Sequence, residues 1–347
     1  MVVTICCDGE QGQLMTALVS SRPAVSICVP TYNGARYVAR CLDSILQQTF
    51  TDFEIVAVDD RSSDDTVAIL RDYSKRDGRL RIFENARNSG LVENWNQCIE
   101  HARGEWIKFV FQDDWIAPEC VSRMVEEATK TRAVFAVCRR EFVFEEISDE
   151  FRKRYPKVGE EVSLDSVCPG KSSISAADFC SVVLGRGIDN FIGEPTATLI
   201  HRDAIRDYGV FNAMLMQWCD LEYWLRVAVS RGLTYIPETL AYFRVHGGSA
   251  TFENAMKRSF RGDIVDPLLI KCELAYSHFY QPLRDLAISR GTDLAAEFIR
   301  SSVFEQSWGK ERANPAWRQV VAMEPRLRMA WRLRARRLVR NLLDEMR

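Results

Sequence analysis

The chain has 347 residues, 47% hydrophobic and 27% charged, which fits a soluble folded protein of one large domain with an appendage, or of two domains. Its formal net charge of -2 leaves no general positive field to attract nucleic-acid backbones, so a nucleic-acid partner is not expected. The 11 cysteines are odd in number and scattered, with Cys28, Cys41, Cys98 and Cys138 inside apolar runs and no C-x-x-C spacing for zinc; this reads as buried thiols in a reducing, cytoplasmic compartment.

Residues 1–22 are polar and weakly patterned, the expectation being a loosely ordered leader without the basic start and apolar run of a secretory signal. No stretch reaches the roughly 20 apolar residues of a membrane span. From Ala24 to Cys138 strand and helix patterns alternate. Val25, Ile27 and Val29 open a strand, and Val38, Leu42, Ile45 and Leu46 lie on one face of the helix after it. A second strand, Phe53–Val58, leads through N-cap candidates at Ser62–Asp65 into a helix with Val67, Leu70 and Tyr73. Leu80–Phe83 is a short strand, and Asn88-Ser-Gly90 turns into a helix bearing Trp95, Cys98, Ile99 and Ala102. Trp106–Phe111 is the next strand, Pro118 opens a helix with Val121, Met124 and Val125, and Ala133–Cys138 ends the series. Such alternation implies an α/β, doubly wound, mostly parallel sheet.

Between Arg139 and Pro169 periodicity fades, as for a long insertion or lid-like connection. Ala176–Leu184 reads as a helix, Thr196–Ile200 as a strand, Asp220–Arg231 as a helix ended by Gly232, and Thr234–Pro237 and Leu240–Val245 as extended. The remainder, from about residue 264, reads as a helical C-terminal extension. Between Arg326 and Arg340 it carries seven arginines interleaved with Trp331, Leu333, Leu338 and Val339. This tail suits peripheral docking on anionic lipid or, as its irregular apolar face slightly favours, a terminal helix packed on its own domain or on a second copy in a homo-oligomer.

Three strands stop abruptly at polar residues: Pro30-Thr-Tyr-Asn33, Asp59-Asp60 and Gln112-Asp113-Asp114. Helical segments between them make the strands parallel, so these ends share the carboxyl edge at which open α/β sheets bind ligands. Asp113-Asp114 offers hard oxygen ligands on a short turn; the plainer reading is that they turn the chain before Pro118. Asp59-Asp60 opens a good helix-entry sequence, but one carboxylate there could accept hydrogen bonds from a base or ribose. Tyr32 could stack on a base or simply pack.

Together these segments resemble glycosyltransferase family 2. The resemblance rests on Val25–Gly34, Ser44-Ile-Leu-Gln-Gln-Thr-Phe50, Val58–Thr66, Asn88-Ser-Gly-Leu91, Ala102-Arg-Gly-Glu-Trp106 and Gln112-Asp-Asp114, and covers about residues 24–250. It implies a GT-A (Rossmann-like) fold and inverting transfer of a sugar from a nucleoside diphosphate donor, UDP- or dTDP-linked, to a saccharide or lipid-linked acceptor. Residues 23–138 would form the donor half and 139–263 the acceptor half. By this resemblance Pro30, Thr31, Tyr32 and Asn33 form the first nucleotide-binding loop, Asp60 faces a pyrimidine base, Asp113 lies near the ribose, and Asp114 is the direct ligand of Mn2+ or Mg2+. The copy reads Gln-Asp-Asp where the family has a full Asp-x-Asp.

Trp218–Val227 resembles the acidic segment whose carboxylate deprotonates the acceptor. Asp220 sits in that place, six residues before Arg226; Glu222, the runner-up, faces another direction on the helix. His246, before Gly247-Gly248, matches a histidine beside the metal or diphosphate, and Glu194 matches a segment lining the acceptor pocket. The setting implied is bacterial surface polysaccharide assembly. A nucleotidyltransferase would want a glycine-rich, basic loop after the first strand, which Pro30–Gly34 does not supply. A non-catalytic nucleotide-binding relative would be expected to have lost Asp114 or Asp220, and both are present.

Overall fold

A computed structural model describes residues 22–149, 163–249, 265–300, 321–322 and 324–327. Its strands are β1 (Val25–Thr31), β2 (Phe53–Asp59), β3 (Leu80–Glu84), β4 (Trp106–Phe109), β5 (Trp115–Ile116), β6 (Phe135–Phe144), β7 (Ser173–Ile174), β8 (Thr198–His201) and β9 (Leu233–Val245). Helices α1 (Val38–Leu46), α2 (Thr66–Arg76), α3 (Leu91–His101) and α4 (Cys120–Thr131) fill the gaps of the first half. Then come α5 (Leu164–Val167), α6 (Ala176–Arg186), α7 (Arg202–Tyr208), α8 (Cys219–Arg231), α9 (Asp266–Tyr276), α10 (Gln281–Ser289) and α11 (Leu294–Arg300).

The strands form one sheet in the order β3-β2-β1-β4-β8-β6-β9-β5, with β7 added on β9. β1 pairs in parallel with β2 and β4, and β2 with β3. β8 runs against both β4 and β6, and β6 is parallel to β9. β1, β2, β3, β4, β6 and β9 therefore all point one way and end at one edge. The expected mostly parallel α/β sheet is present. What the alternation did not foretell is β8: a strand from the second half lies between β4 and β6, so both halves build the same sheet. The segment expected to lose order after Arg139 instead continues β6 to Phe144, past register shifts at Cys138/Arg139 and Arg139/Arg140.

Alternation along β1 and β2 divides the core. Val25, Ile27, Val29, Phe53, Ile55 and Ala57 pack with α1, α2 and α4, while Cys28, Val56 and Val58 face the other layer with α3, α6, α8 and α9. The second layer is rich in ring contacts: Trp224 of α8 stacks on Phe135 at 5.1 Å and meets Phe211 edge-on at 5.8 Å. Leu268, Leu269 and Ile270 of α9 join this same core, so the described part of the C-terminal extension is built into the helical layer that covers this face. Arg326, at the head of the basic run, pairs with Glu273 and Glu324. The rest of that run beyond Leu327, and the leader before Arg22, lie outside the described residues. The nine described cysteines are buried and free, and among the described residues no helix is long and apolar enough to cross a membrane.

Glu54, buried in β2, locks the amino end of the parallel strands. It accepts Ser26 Oγ from β1 (2.7 Å), the Arg103 N–H before β4 (2.7 Å) and Arg81 Nη1 from β3 (2.8 Å). Burial alone would raise its pKa, but bonds from Arg103, Ser26 and Arg81 hold it below the ordinary value. Glu54→Ala leaves the buried Ser26 hydroxyl without its acceptor and strips the Arg81 and Arg103 side chains of their shared carboxylate. We expect it to lower unfolding stability by about 2 kcal/mol in urea titration; an unchanged midpoint would remove Glu54 from this role.

Candidate active site

The loop after β1 is docked on the loop after β2. Thr31 is buried and its Oγ1 donates to Asp59 Oδ1 (3.0 Å), while Asp59 also accepts Ser62 N–H (2.8 Å). Asn33 takes a left-handed φ of 46° and exchanges hydrogen bonds with Ser62 and Ser63. Gly34 N–H donates to Thr66 Oγ1 (2.8 Å) and Ala35 N–H to Asp64 Oδ2 (3.0 Å). Pro30 and Thr31 thus serve as buried framework, while the Tyr32 ring stands 48% exposed above the edge.

Gln112 fixes Tyr32. Tyr32 N–H donates to Gln112 Oε1 (2.9 Å) and Gln112 Nε2 donates to the Tyr32 carbonyl (3.0 Å). A carboxylate here could accept but not donate, so glutamine in place of the first aspartate closes a pair that Asp could not. A Cβ on Gly34 would come 2.1 Å from Gln112 Oε1, so any side chain there would push Gln112 out of this pair. The signal was in the sequence, as the departure from Asp-x-Asp, but only structure gives its partner.

Asp60 is 2% exposed, and its carboxylate is filled by protein donors: Asn85 Nδ2 (2.9 Å), Ser89 N–H (2.8 Å), Ser89 Oγ (2.9 Å) and Gly90 N–H (2.9 Å). It secures the 85–90 loop ahead of α3, so the expectation that it faces a base directly is not matched by its present geometry.

The two adjacent aspartates part company. Asp114 is 1% exposed; its Oδ2 accepts Thr196 Oγ1 (2.5 Å) and its Oδ1 the Arg244 N–H (3.0 Å). Burial first, and then the charge of Asp113, push its carboxyl well above the ordinary range. The expected direct metal ligand is therefore turned into the protein, tying the turn after β4 to the approach to β8 and to β9. Asp113 is the more accessible of the two, with Oδ2 3.1 Å from His246 Nε2. His246 Nδ1 lies 3.3 Å from the Gly248 N–H and Nε2 faces Asp113, so a cation bound at Nε2 requires the tautomer with its proton on Nδ1, in place of the Gly248 contact. Its ring lies 4.5 Å from Tyr37, and Arg244 Nε holds the Asp113 carbonyl (2.8 Å). Among the described residues no cluster of three or more His, Cys, Asp or Glu is poised around a metal. Asp113 and His246 form a two-donor set, oxygen and imidazole, that leaves most of a cation's sphere to ligand and water oxygens, a pattern that suits Mg2+ or Mn2+.

Asp220 occupies the first turn of α8, accepting Leu221 N–H (2.7 Å), and shares the influence of the Glu194 charge with Asp114. Burial raises its pKa to about 7; the Glu194 charge adds to the rise and Arg140 opposes it. The chain entering α8 is held by buried Asp266, which accepts the N–H groups of Met216 (3.0 Å), Gln217 (2.6 Å) and Trp218 (3.1 Å). Glu222 points elsewhere, into a bidentate pair with Arg226 (3.1 and 2.8 Å) and onto Tyr280 Oη (2.8 Å). Glu194 pairs with Arg140. Arg140, Thr196, Arg244 and Asp266 were not singled out by motif, since each partner lies far away in sequence.

The profile of the family described as "Glycosyl transferase family 2" matches residues 26–208. An "Uncharacterized protein MT1568" of Mycobacterium tuberculosis (strain CDC 1551 / Oshkosh) is 32% identical over 71% of this chain and 74% of its own. A chondroitin synthase of Escherichia coli is 34% identical over 37% of this chain and 18% of its own length. Two solved structures share the fold. S. aureus TarS 1-349 in complex with UDP has a TM-score of 0.55 at 19% identity, covering 86% of this chain and 78% of that one. The mannosyltransferase PcManGT from Pyrobaculum calidifontis, in complex with GDP-Man and Mn2+, has 0.55 at 16%, covering 93% and 88%. The chain belongs to glycosyl transferase family 2.

The split between the aspartates is measurable as stability. Asp114→Ala strands buried Thr196 Oγ1 and the Arg244 N–H and should cost about 2 kcal/mol or more, while Asp113→Ala should cost less than about 1 kcal/mol, by denaturant unfolding. Equal losses would contradict the inward assignment of Asp114.

Proposed function

We propose that this family 2 member moves a sugar from a nucleoside diphosphate donor, a UDP- or dTDP-sugar, to a hydroxyl of a saccharide or lipid-linked acceptor, with inversion at the anomeric carbon. The observation that carries the reading is that the turn bearing the Asp113–His246 couple and the start of α8 bearing Asp220 lie on either side of Glu194, whose charge acts on both Asp114 and Asp220. The likeness in fold to structures holding UDP and GDP-Man with Mn2+ supports a nucleotide-sugar donor. Similarity to a chondroitin synthase supports a place in polysaccharide assembly.

Donor binding falls to residues 23–138. The exposed Tyr32 ring offers a stacking face for the base, Asn33 and the buried Pro30 and Thr31 shape its loop, and Asp60 acts one step behind by fixing the 85–90 loop. Asp113 and His246, rather than Asp114, would hold Mn2+ or Mg2+, whose chemistry when bound is neutralisation of charge on the diphosphate. Arg244 holds the backbone of Asp113 in place.

The acceptor is handled by residues 139–263. Asp220 takes the proton from the acceptor hydroxyl as its oxygen bonds to the anomeric carbon. The bond from that carbon to the diphosphate oxygen breaks on the opposite face, its electrons leaving with the diphosphate. A carboxylate near neutrality is well matched to a hydroxyl that turns acidic only as the new bond forms. Two other readings fit less well. A nucleotidyltransferase needs backbone N–H groups free after β1 to cradle a triphosphate, and here those of residues 32–35 are taken by the neighbouring loops. A purely nucleotide-binding scaffold would be free to lose Asp220, and the carboxylate is present.

Asp220→Asn should cut transfer at least about 100-fold while leaving UDP binding unchanged. Because the base must be ionised and its pKa is raised, wild-type turnover should fall as pH drops through about 7 and level off above it. Initial rates between pH 5.5 and 9 test this; a flat profile, or transfer surviving in Asp220→Asn, would assign the base elsewhere.

A further inference from the structure

Arg140 is a charged side chain only 10% exposed, on a strand that the motifs did not mark. The two register shifts in the β6–β9 pairing fall on either side of Arg139. Beyond them Arg139 turns outward to Asp165, while Arg140 turns inward to the carboxylate of Glu194, itself 17% exposed. The guanidinium lies over Gly193, whose φ of +108° and missing side chain make room for it. A Cβ there would sit 2.5 Å from Arg140 Cζ. Phe142 packs 5.1 Å beneath it, and the Ile192 carbonyl accepts Nη1 (3.4 Å).

The same loop is fastened to the helix that carries Asp220. Trp224 Nε1 donates to the Gly193 carbonyl (2.9 Å), and Trp224 is one turn on from Asp220, four residues along α8. Positions four apart share a helix face, so Asp220 faces the Gly193-Glu194 loop. We propose that Arg140 is a positioning residue of the transfer reaction: by holding the Glu194 carboxylate in an ion pair beside Asp220, it keeps the base in its charged form. This rests on the reading of Asp220 as base.

The argument is electrostatic. The charged and titratable groups around Asp220 are Glu194 ahead of β8, Arg140 on β6 and Cys219 beside it on α8, with Asp266 behind, bound to the N–H groups that lead into the helix. Glu194 pushes the proton affinity of Asp220 up and Arg140 brings it down. Taking Arg140 away removes the one cation of this set and leaves a largely buried carboxylate unpaired next to the base. Two neighbouring carboxylates cannot both stay ionised cheaply, so Asp220 would keep its proton to higher pH. Removing Glu194 alone acts in the opposite direction. Removing both returns the base near its starting point, because the two charges act on it as a pair.

The test is carboxyl 13C NMR of the full chain labelled with 13C-aspartate, the Asp220 signal being identified by its loss in Asp220→Asn. Arg140→Gln should move the Asp220 titration upward by about one pH unit. Glu194→Gln should move it downward, and the double variant should restore it to within a few tenths. Arg140→Lys, which retains the charge, should titrate like the wild type and guards against a mere folding defect. An Asp220 midpoint unchanged in Arg140→Gln would overturn the proposal. The base assignment fails separately, if UDP release from the donor persists in Asp220→Asn while the NMR shifts are seen.

Discussion

The buried Asp114 carboxylate makes the site one object. One oxygen takes the hydroxyl of Thr196 ahead of β8 and the other takes the Arg244 N–H near the end of β9. Through it the turn after β4, which carries Asp113, is held to both strands of the second half. A charge or dipole buried so completely is tolerated only when its lone pairs are filled, and here they are filled by the groups that must be aligned. Arg244 adds the carbonyl of Asp113, a pair with Glu145, and contacts over the rings of Tyr37 and Trp115 at 4.8 and 4.9 Å. The partly buried Asp113 and the histidine meet because the hidden carboxylate has fixed the frame around them.

The same division of labour recurs along the edge. At two acidic pairs one member is left for the site and the other builds the support: Asp113 beside Asp114, and Asp220 two residues before the structural Glu222. At the third pair both members serve as support, Asp59 for the loop after β1 and Asp60 for the 85–90 loop. Sites require residues held within a fraction of an ångström, and second carboxylates whose oxygens are filled by backbone N–H groups or by buried side chains supply that rigidity.

Much of this was legible in the chain. Apolar alternation stopping at Pro30, Asp59 and Asp113 marks strand ends, because burial and pleat both terminate there, and the helices between them require parallel strands. Which aspartate of a pair turns outward was not legible. Adjacent residues in a tight turn point apart, and the choice depends on Thr196 and Arg244, 82 and 130 residues away. The direction of β8 was hidden too, since a four-residue strand, three of them buried, carries no sign of polarity. Helix α8 is buried nearly all round from Leu221 to Val229, so no amphipathic face told Asp220 from Glu222. Arg140 lay in a stretch whose charges masked a strand, because its hydrophilic side chains are paired rather than solvated.

The central claim is that the Asp113–His246 couple and the Tyr32 loop form a metal-assisted diphosphate site. Calorimetric titration of UDP into the full chain, with Mn2+ and again with EDTA, tests it most directly in the wild type and in Asp113→Ala. The account predicts binding that requires Mn2+ and is lost in Asp113→Ala. UDP binding of equal strength in EDTA and in Asp113→Ala would contradict it.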